Sequence, residues 1–316
     1  MQIKASAPGS MMLLGEFAVL HGKPALVCAV NKRISVTLTA RPDTEIRIHS
    51  SLHGHYAAQL QDVYIEKPFH FVLGAIRHYR RYLKRGFDLQ IETEFSDRVG
   101  LGSSAAVTAA VLAVLSAWLD MRITPLELVR RGRSVIRRIQ GTGSGADIAA
   151  SVYGGMIAYH PQPLKIEKFS VTHPVTALYA GFKTPTVEVI QRVHTHFSAF
   201  PRLYRHLCQG IGRCAAEGVR LVRREDWTGL GMLMNTQQGF MDALGVNTPL
   251  LHDMITELRG QEGIAGAKIS GSGLGDCVIG WGELPDSYLY SGSAQYPGVR
   301  RIPVSMTPQG LYCEKI

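Results

Sequence analysis

Apolar positions along this chain follow two periodicities that take turns. Ile34-Ser35-Val36-Thr37-Leu38-Thr39 and Phe87-Asp88-Leu89-Gln90-Ile91-Glu92-Thr93 alternate with period two, the pattern of a half-buried strand. Strands are also predicted at 2–5 and across 25–40. Helical spacing runs through 68–83, 103–119 and 125–139, with Thr124 placed to cap the last and Pro125 suited to its first turn. A further helix starts near Gly145, reaches about Tyr153 and stops at Gly154-Gly155, before a strand at 156–160. His160-Pro161-Gln162-Pro163 is the best boundary, so the expected domains are 1–162 and 163–316. Beyond it the pattern predicts strands at 177–182, 266–269, 277–280 and 298–304, and helices at 187–197, 202–223, 227–244 and 249–259. The class is α+β in two halves.

Gly100-Leu101-Gly102-Ser103-Ser104 leads directly into the apolar run that begins Ala105-Ala106-Val107. Glycines let a backbone approach a ligand and take positive φ. Successive N–H groups at a helix N-terminus favour an anion such as phosphate. The two hydroxyls can donate to phosphate oxygens or ligate a metal. A plainer reading of the same residues is a helix N-capped by Ser103. The turn is not a P-loop, which needs Gly-Lys-Ser/Thr. Nor is it a dinucleotide fingerprint, which needs a third glycine and a following acid.

Composition narrows the classes. The 316 residues suffice for one large domain or two ordinary ones. The longest apolar stretch, 105–119, is interrupted by Thr108 and Ser116 and falls short of the ~18 residues of a membrane span. No basic-then-apolar leader is seen, and a cytoplasmic protein is expected. The net charge of +9 and pI near 9.4 admit nucleic-acid binding. The basic residues are scattered, however, in patches such as 77–85 and 130–138, without an RNA-binding motif. An anionic small substrate and a solvated surface explain them better, so neither nucleic acid nor membrane is expected as a partner. Cys28, Cys208, Cys214, Cys277 and Cys313 include no Cys-x-x-Cys pair, and Cys28 and Cys277 read as small core residues.

Three other segments join the first glycine turn. They are Ala7-Pro8-Gly9-Ser10 leading into Leu14-Gly15-Glu16-Phe17-Ala18-Val19-Leu20-His21-Gly22, then Gly141-Thr142-Gly143-Ser144-Gly145-Ala146-Asp147, then Lys268-Ile269-Ser270-Gly271-Ser272-Gly273-Leu274-Gly275-Asp276-Cys277. With all four in order, the chain resembles the GHMP small-molecule kinases, the family of galactokinase, homoserine kinase, mevalonate kinase and phosphomevalonate kinase. The likeness extends over nearly the whole chain. It implies an N-terminal ribosomal-protein-S5-like domain carrying the nucleotide loop and a C-terminal ferredoxin-like domain, meeting at a cleft. It also implies ATP and Mg²⁺ as cofactors, a small-molecule acceptor, and a homodimer, which family kinases of this size often form.

Phosphoryl transfer needs a held triphosphate, an in-line hydroxyl and a group to take or orient its proton. By the resemblance, Gly100, Leu101, Gly102, Ser103, Ser104 and Ala105 cradle phosphate, with Ser104 facing Mg²⁺. Gly271, Ser272 and Gly273 close from the other half, although the same glycines also read as a strand–turn–strand connection. Asp147 has two readings from its position, an acid complementing a helix dipole or a catalytic carboxylate. The segment from Gln140 to Asp147, followed by Ser151-Val152-Tyr153-Gly154-Gly155, is similar to the mevalonate kinase catalytic motif, with Gln and Gly replacing its usual His and Pro. Asp147 is thus the expected base, with Ser144 and Gly145 beside the substrate. Glu16 and His21 fall on the substrate side of the first motif, though His21 also reads as a turn residue. Thr186 matches a threonine that the family places near the acceptor.

Two positions depart from the family. Its lysine is replaced by Ser10, so another cation must substitute, with Lys183 the first candidate and Arg137 and Arg138 the alternatives. The place of a metal-binding Glu in mevalonate kinases falls at Ile136. Stretches 22–33, 234–238 and 244–251 are similar to mevalonate kinases, whereas 271–277 and 143–150 look more like phosphomevalonate kinase. The abundant arginines would suit a phosphorylated acceptor. The function expected is ATP-dependent phosphorylation of mevalonate to 5-phosphomevalonate in isoprenoid precursor synthesis. The alternatives are a phosphomevalonate kinase, a sugar or sugar-phosphate kinase, and a non-catalytic nucleotide-binding homologue.

Overall fold

The period-two stretches become neighbouring strands in a computed structural model that describes residues 2–316. In chain order the first half runs β1 (Gln2–Leu14), β2 (Ala25–Ala40), β3 (Glu45–Ser50), β4 (Gly54–Gln59), α1 (His70–Tyr79), β5 (Phe87–Thr93), α2 (Ser103–Trp118), α3 (Pro125–Gln140), α4 (Ala146–Tyr153), β6 (Met156–Pro161) and β7 (Leu164–Phe169). The second half runs β8 (Val175–Tyr179), α5 (Thr186–His196), α6 (Pro201–Arg223), α7 (Trp227–Ala243), α8 (Pro249–Arg259), β9 (Ile264–Ser270), β10 (Cys277–Gly282), β11 (Arg300–Ile302) and β12 (Tyr312–Lys315). The architecture is α+β with two sheets. The first has the order β12-β1-β2-β5-β3-β4, with β6 and β7 branching from β2, and among the described residues only its β3–β5 pairing is parallel. The second is antiparallel in the order β11-β8-β10-β9. In sheet pairing, β7 continues the first sheet past residue 162, and β12 returns to it from the end of the chain.

Helix α2 is apolar all round, which marks a fully enclosed helix. Residues from Ala105 to Leu115 on it are buried apart from the half-buried Val107, against β1, β2, α1, α3 and α4. The two hydroxyls that interrupt the run bond back within the helix, Thr108 Oγ1 to the Ser104 carbonyl and Ser116 Oγ to the Leu112 carbonyl, each at 2.7 Å. No buried polar group is left open there. Thr124 caps α3 as expected, accepting the Glu127 N–H at 3.2 Å. Among the described residues, no helix is long and apolar enough to cross a membrane.

The second sheet is buried on both faces, which seats one half on the other. Along β8 and β10, Val175, Ala177, Tyr179, Cys277, Ile279 and Trp281 join the core of the first half. The alternate positions Leu178 and Val278, with Ala180 just past β8, join a second core with residues of α5 and α8. Both Cys28 and Cys277 lie in these cores, fully buried. Polar contacts cross the same seam: Ser270 Oγ donates to the Met12 carbonyl at 3.1 Å and Cys277 Sγ to the Val99 carbonyl at 2.9 Å. The cleft between the halves therefore has walls fixed by packing rather than by loops alone.

Candidate active site

The cleft is built where β1 meets the glycine turn before α2. The Ser10 N–H donates to the Leu101 carbonyl at 3.0 Å and ties the turn to the strand. Gly100 and Gly102 have φ of 66° and 65°, in the left-handed region that favours glycine. Space requires glycine there as well. A Cβ on Gly102 would lie 2.2 Å from Ser10 Oγ, and one on Gly100 would lie 2.0 Å from Asp276 Oδ1. Gly102, not Ser103, is the N-cap of α2, and no side chain caps the helix. The capping alternative for Ser103 is thereby overturned, and both Ser103 and Ser104 line the cleft. Leu101 and Ala105 are each 1% exposed; Ala105 reaches the cleft, whereas Leu101 does not line it and its carbonyl is taken by the Ser10 N–H.

Opposite that turn stands Asp147, in the first turn of α4. Ser10 Oγ donates to its Oδ1 at 2.8 Å. The preceding turn is held from below: Tyr159 Oη donates to the Ser144 carbonyl at 2.6 Å and Arg137 Nε to the Gly143 carbonyl at 2.8 Å. Burial pushes the Asp147 carboxyl above the usual aspartate range. The Ser10 hydrogen bond and the Lys183 charge pull it back, and the Glu16 charge adds to the rise. Asp276, from the third glycine segment, is pushed up to about 6 by burial, with Lys183 opposing and Asp147 reinforcing. Lys183 lines the same cavity as both carboxylates and its charge acts on each, while its ammonium donates to the Asp97 carbonyl at 3.1 Å. Arg137 is committed to the Gly143 carbonyl, and Arg138 lines a separate surface hollow with Arg77 and Arg81.

A cavity of about 190 Å³ gathers most of the expected residues: Ser10, Glu16, Gly100, Gly102, Ser103, Ser104, Ala105, Ser144, Gly145, Asp147, Lys183, Thr186, Gly271 and Ser272 all line it. Gly273 is on the same turn and packs on the Val246 carbonyl instead. Ile136 closes one wall with an apolar side chain. A larger groove of about 640 Å³ adjoins it, sharing Ser103, Ser104, Lys183 and Thr186 and adding Phe69, Phe71, Lys67 and Arg98. The donor set of the cavity (a Ser104 hydroxyl and the carboxylates of Asp147 and Asp276) is all oxygen. That set suits Mg²⁺, which protein sites hold through one or two carboxylates, waters and substrate phosphates.

Two expected residues behave differently. Glu16 lines the cavity, yet both its oxygens are engaged across the seam, one by Lys268 Nζ and the other by Gln237 Nε2. Gln237 Oε1 in turn accepts the Gly15 N–H at 2.9 Å. Burial holds the Lys268 ammonium below the usual lysine range, with Glu16 opposing. His21 is not on the cavity wall; its Nε2 lies 3.0 Å from Tyr204 Oη, beside His194. Sequence reasoning gave no role to Lys268, Gln237, Tyr159 or Asp276. A signal existed for the first, because Lys268 interrupts the apolar run of β9 and a charge inside a buried strand needs a partner.

Comparison with known proteins shows the family. Residues 70–155 match a family described as "GHMP kinases N terminal domain", and residues 219–287 match "GHMP kinases C terminal". A mevalonate kinase of Methanothermobacter thermautotrophicus is 30% identical over 282 residues, covering 88% of this chain and 90% of the relative. One of Thermococcus sibiricus is 29% identical over 335 residues, covering 100% and 99%. Among solved structures, a Listeria innocua protein superposes with a TM-score of 0.86 at 22% identity, each chain fully covered. The Methanococcus jannaschii mevalonate kinase superposes at 0.79 and 23%, over 97% of this chain and 98% of its own. The chain belongs to the GHMP kinases and is a kinase of that family.

Proposed function

We propose that the cavity transfers the γ-phosphoryl group of ATP to the primary hydroxyl of mevalonate, giving 5-phosphomevalonate and ADP. One observation carries the reading: Asp147 stands across a small cavity from the Gly100–Ser104 turn, hydrogen-bonded to Ser10 and acted on by the Lys183 charge. An anion cradle and a base of raised basicity, one on each side of a space the size of a small acceptor, are the parts this reaction needs. The names of the similar proteins support mevalonate as the acceptor.

In this reading the acceptor hydroxyl lies between Asp147 and the terminal phosphate. As the new P–O bond forms and the bond to the ADP oxygen breaks, the hydroxyl proton passes to Asp147. Lys183 supplies the cation that Ser10 lacks, countering charge on the transferred group. The turn N–H groups and Ser103 hold phosphate oxygens, and Ser104 would face Mg²⁺, which supplies charge neutralisation of the triphosphate when bound. The adjoining groove is wide enough and apolar enough for the nucleoside.

ADP release measured with ATP, Mg²⁺ and separate acceptors tests this. Mevalonate should turn over well ahead of 5-phosphomevalonate, galactose and sugar phosphates. Preference for 5-phosphomevalonate would move the assignment to that kinase, and nucleotide binding without turnover of any acceptor would refute the reaction.

The acid side of the pH profile offers a sharper check on Asp147. Turnover needs its ionised form, so kcat/KM falls as pH falls through a value above the ordinary aspartate range. The Ser10 hydrogen bond favours the ionised form. Ser10→Ala should therefore move that limb to higher pH while Lys183, Glu16, Asp276 and Tyr159 remain around the group. An unmoved limb would mean that Asp147 is not the titrating residue.

A further inference from the structure

Asp276 ends the third glycine turn with a buried carboxylate that no cation among the described residues touches directly. The residue is 6% exposed and its Oδ1 has no hydrogen-bond partner. Its φ of 73° is in the left-handed region, where a non-glycine residue is held only by its surroundings. Its N–H donates to the Phe182 carbonyl and its carbonyl accepts the Ala180 N–H, both at 2.8 Å. The carboxylate is thus aimed by backbone on both sides, and it ends against Gly100 of the first turn. Ser272 Oγ, in a residue 9% exposed on the same turn, also lacks a partner. Lys183, whose charge reaches Asp276, sets its ammonium on the Asp97 carbonyl at 3.1 Å.

A buried carboxylate beside a turn made for anions repels the very ligand the turn attracts. It is also a buried charge without a contact ion pair, since Lys183 acts on it only at a distance. A divalent cation between carboxylate and phosphate removes both conflicts, and Mg²⁺ is held in phosphate sites by one or two carboxylates with phosphate oxygens beside them. Resting on the phosphate-cradle reading above, we propose that Asp276 ligates the nucleotide-bound divalent cation from the C-terminal half, with the Ser272 hydroxyl donating to the same phosphate. The cation then links the third glycine turn to the first across the cleft.

Asp276→Asn tests this, because asparagine keeps the shape and tolerates left-handed backbone. Mn²⁺ is titrated into the protein–ADP complex and free Mn²⁺ is read by electron paramagnetic resonance; ADP binding in EDTA is read by calorimetry. Mn²⁺ affinity should fall by on the order of tenfold to a hundredfold, while metal-free ADP binds as well as before or more tightly. Unchanged Mn²⁺ affinity overturns the proposal, as does a parallel loss of metal-free ADP binding, which would assign Asp276 to the shape of the turn. Wild-type protein that binds no ADP would overturn the cradle reading itself and the proposal with it. A second measurement needs no variant: Fe²⁺ in place of Mg²⁺ with ADP, ascorbate and peroxide should cleave wild-type backbone within 271–277, and cleavage confined to other segments overturns the assignment.

Discussion

Asp147→Asn is expected to lower kcat by about 10²- to 10⁴-fold, the usual worth of a positioned base, with nucleotide binding and fold retained. The amide can still accept the Ser10 hydroxyl, which lies 2.8 Å from Oδ1 in the native protein. It cannot take a proton from an acceptor alcohol. The rival account, in which Asp147 only complements the dipole of α4, predicts something else. It gives a stability loss of about 0.3–1 kcal/mol and near-normal turnover. Steady-state kinetics beside a thermal melt separates the two, and unchanged kcat would remove Asp147 from the chemistry.

Lys268→Met should destabilise the protein by about 3–5 kcal/mol, because removing one partner strands a buried charge. The Lys268 and Glu16 side chains are 0% and 3% exposed and form an ion pair that joins β9 to the segment after β1. Only Gln237 would remain to answer Glu16. Urea unfolding followed by fluorescence reads the loss. Adding Glu16→Gln should restore part of it, since two neutral partners leave no charge to strand. A loss below about 1 kcal/mol in the single variant would mean that the pair behaves like a surface salt bridge. It would then not be what fixes the halves against each other.

Much of this was legible in the sequence, and each failure has a physical cause. The period-two stretch in β2 and the helical stretch in α8 are found with the bounds expected of them. β1 was legible only to Ala5, since Pro8-Gly9-Ser10 breaks the alternation. The strand nonetheless continues to Leu14 through a register shift between Pro8 and Gly9. That is possible because β12 pairs only Ile3 to Ser6, leaving Pro8 beyond the paired stretch on that side. β12 itself is exposed along its length, so no apolar pattern announced it. At the site, position alone left Asp147 with two readings and the glycine turns with plainer ones; it was the likeness of four ordered motifs to a known family that grouped them, and the structure brings them to one cavity. The Glu16 clasp was not legible, because Lys268 lies 252 residues away in sequence and periodicity carries no information about such pairs. Asp276 escaped for another reason. A carboxylate among glycines reads as a turn residue until its burial and its missing partner are seen.

The account stands or falls on the product. Wild-type protein with ATP, Mg²⁺ and mevalonate should, in a ³¹P NMR time course, lose the γ-phosphate resonance of ATP. ADP and a phosphomonoester coupled to the methylene protons of mevalonate carbon 5 should appear in equal amounts. Persistence of ATP, or inorganic phosphate in place of the ester, would contradict the proposal that this cavity phosphorylates mevalonate.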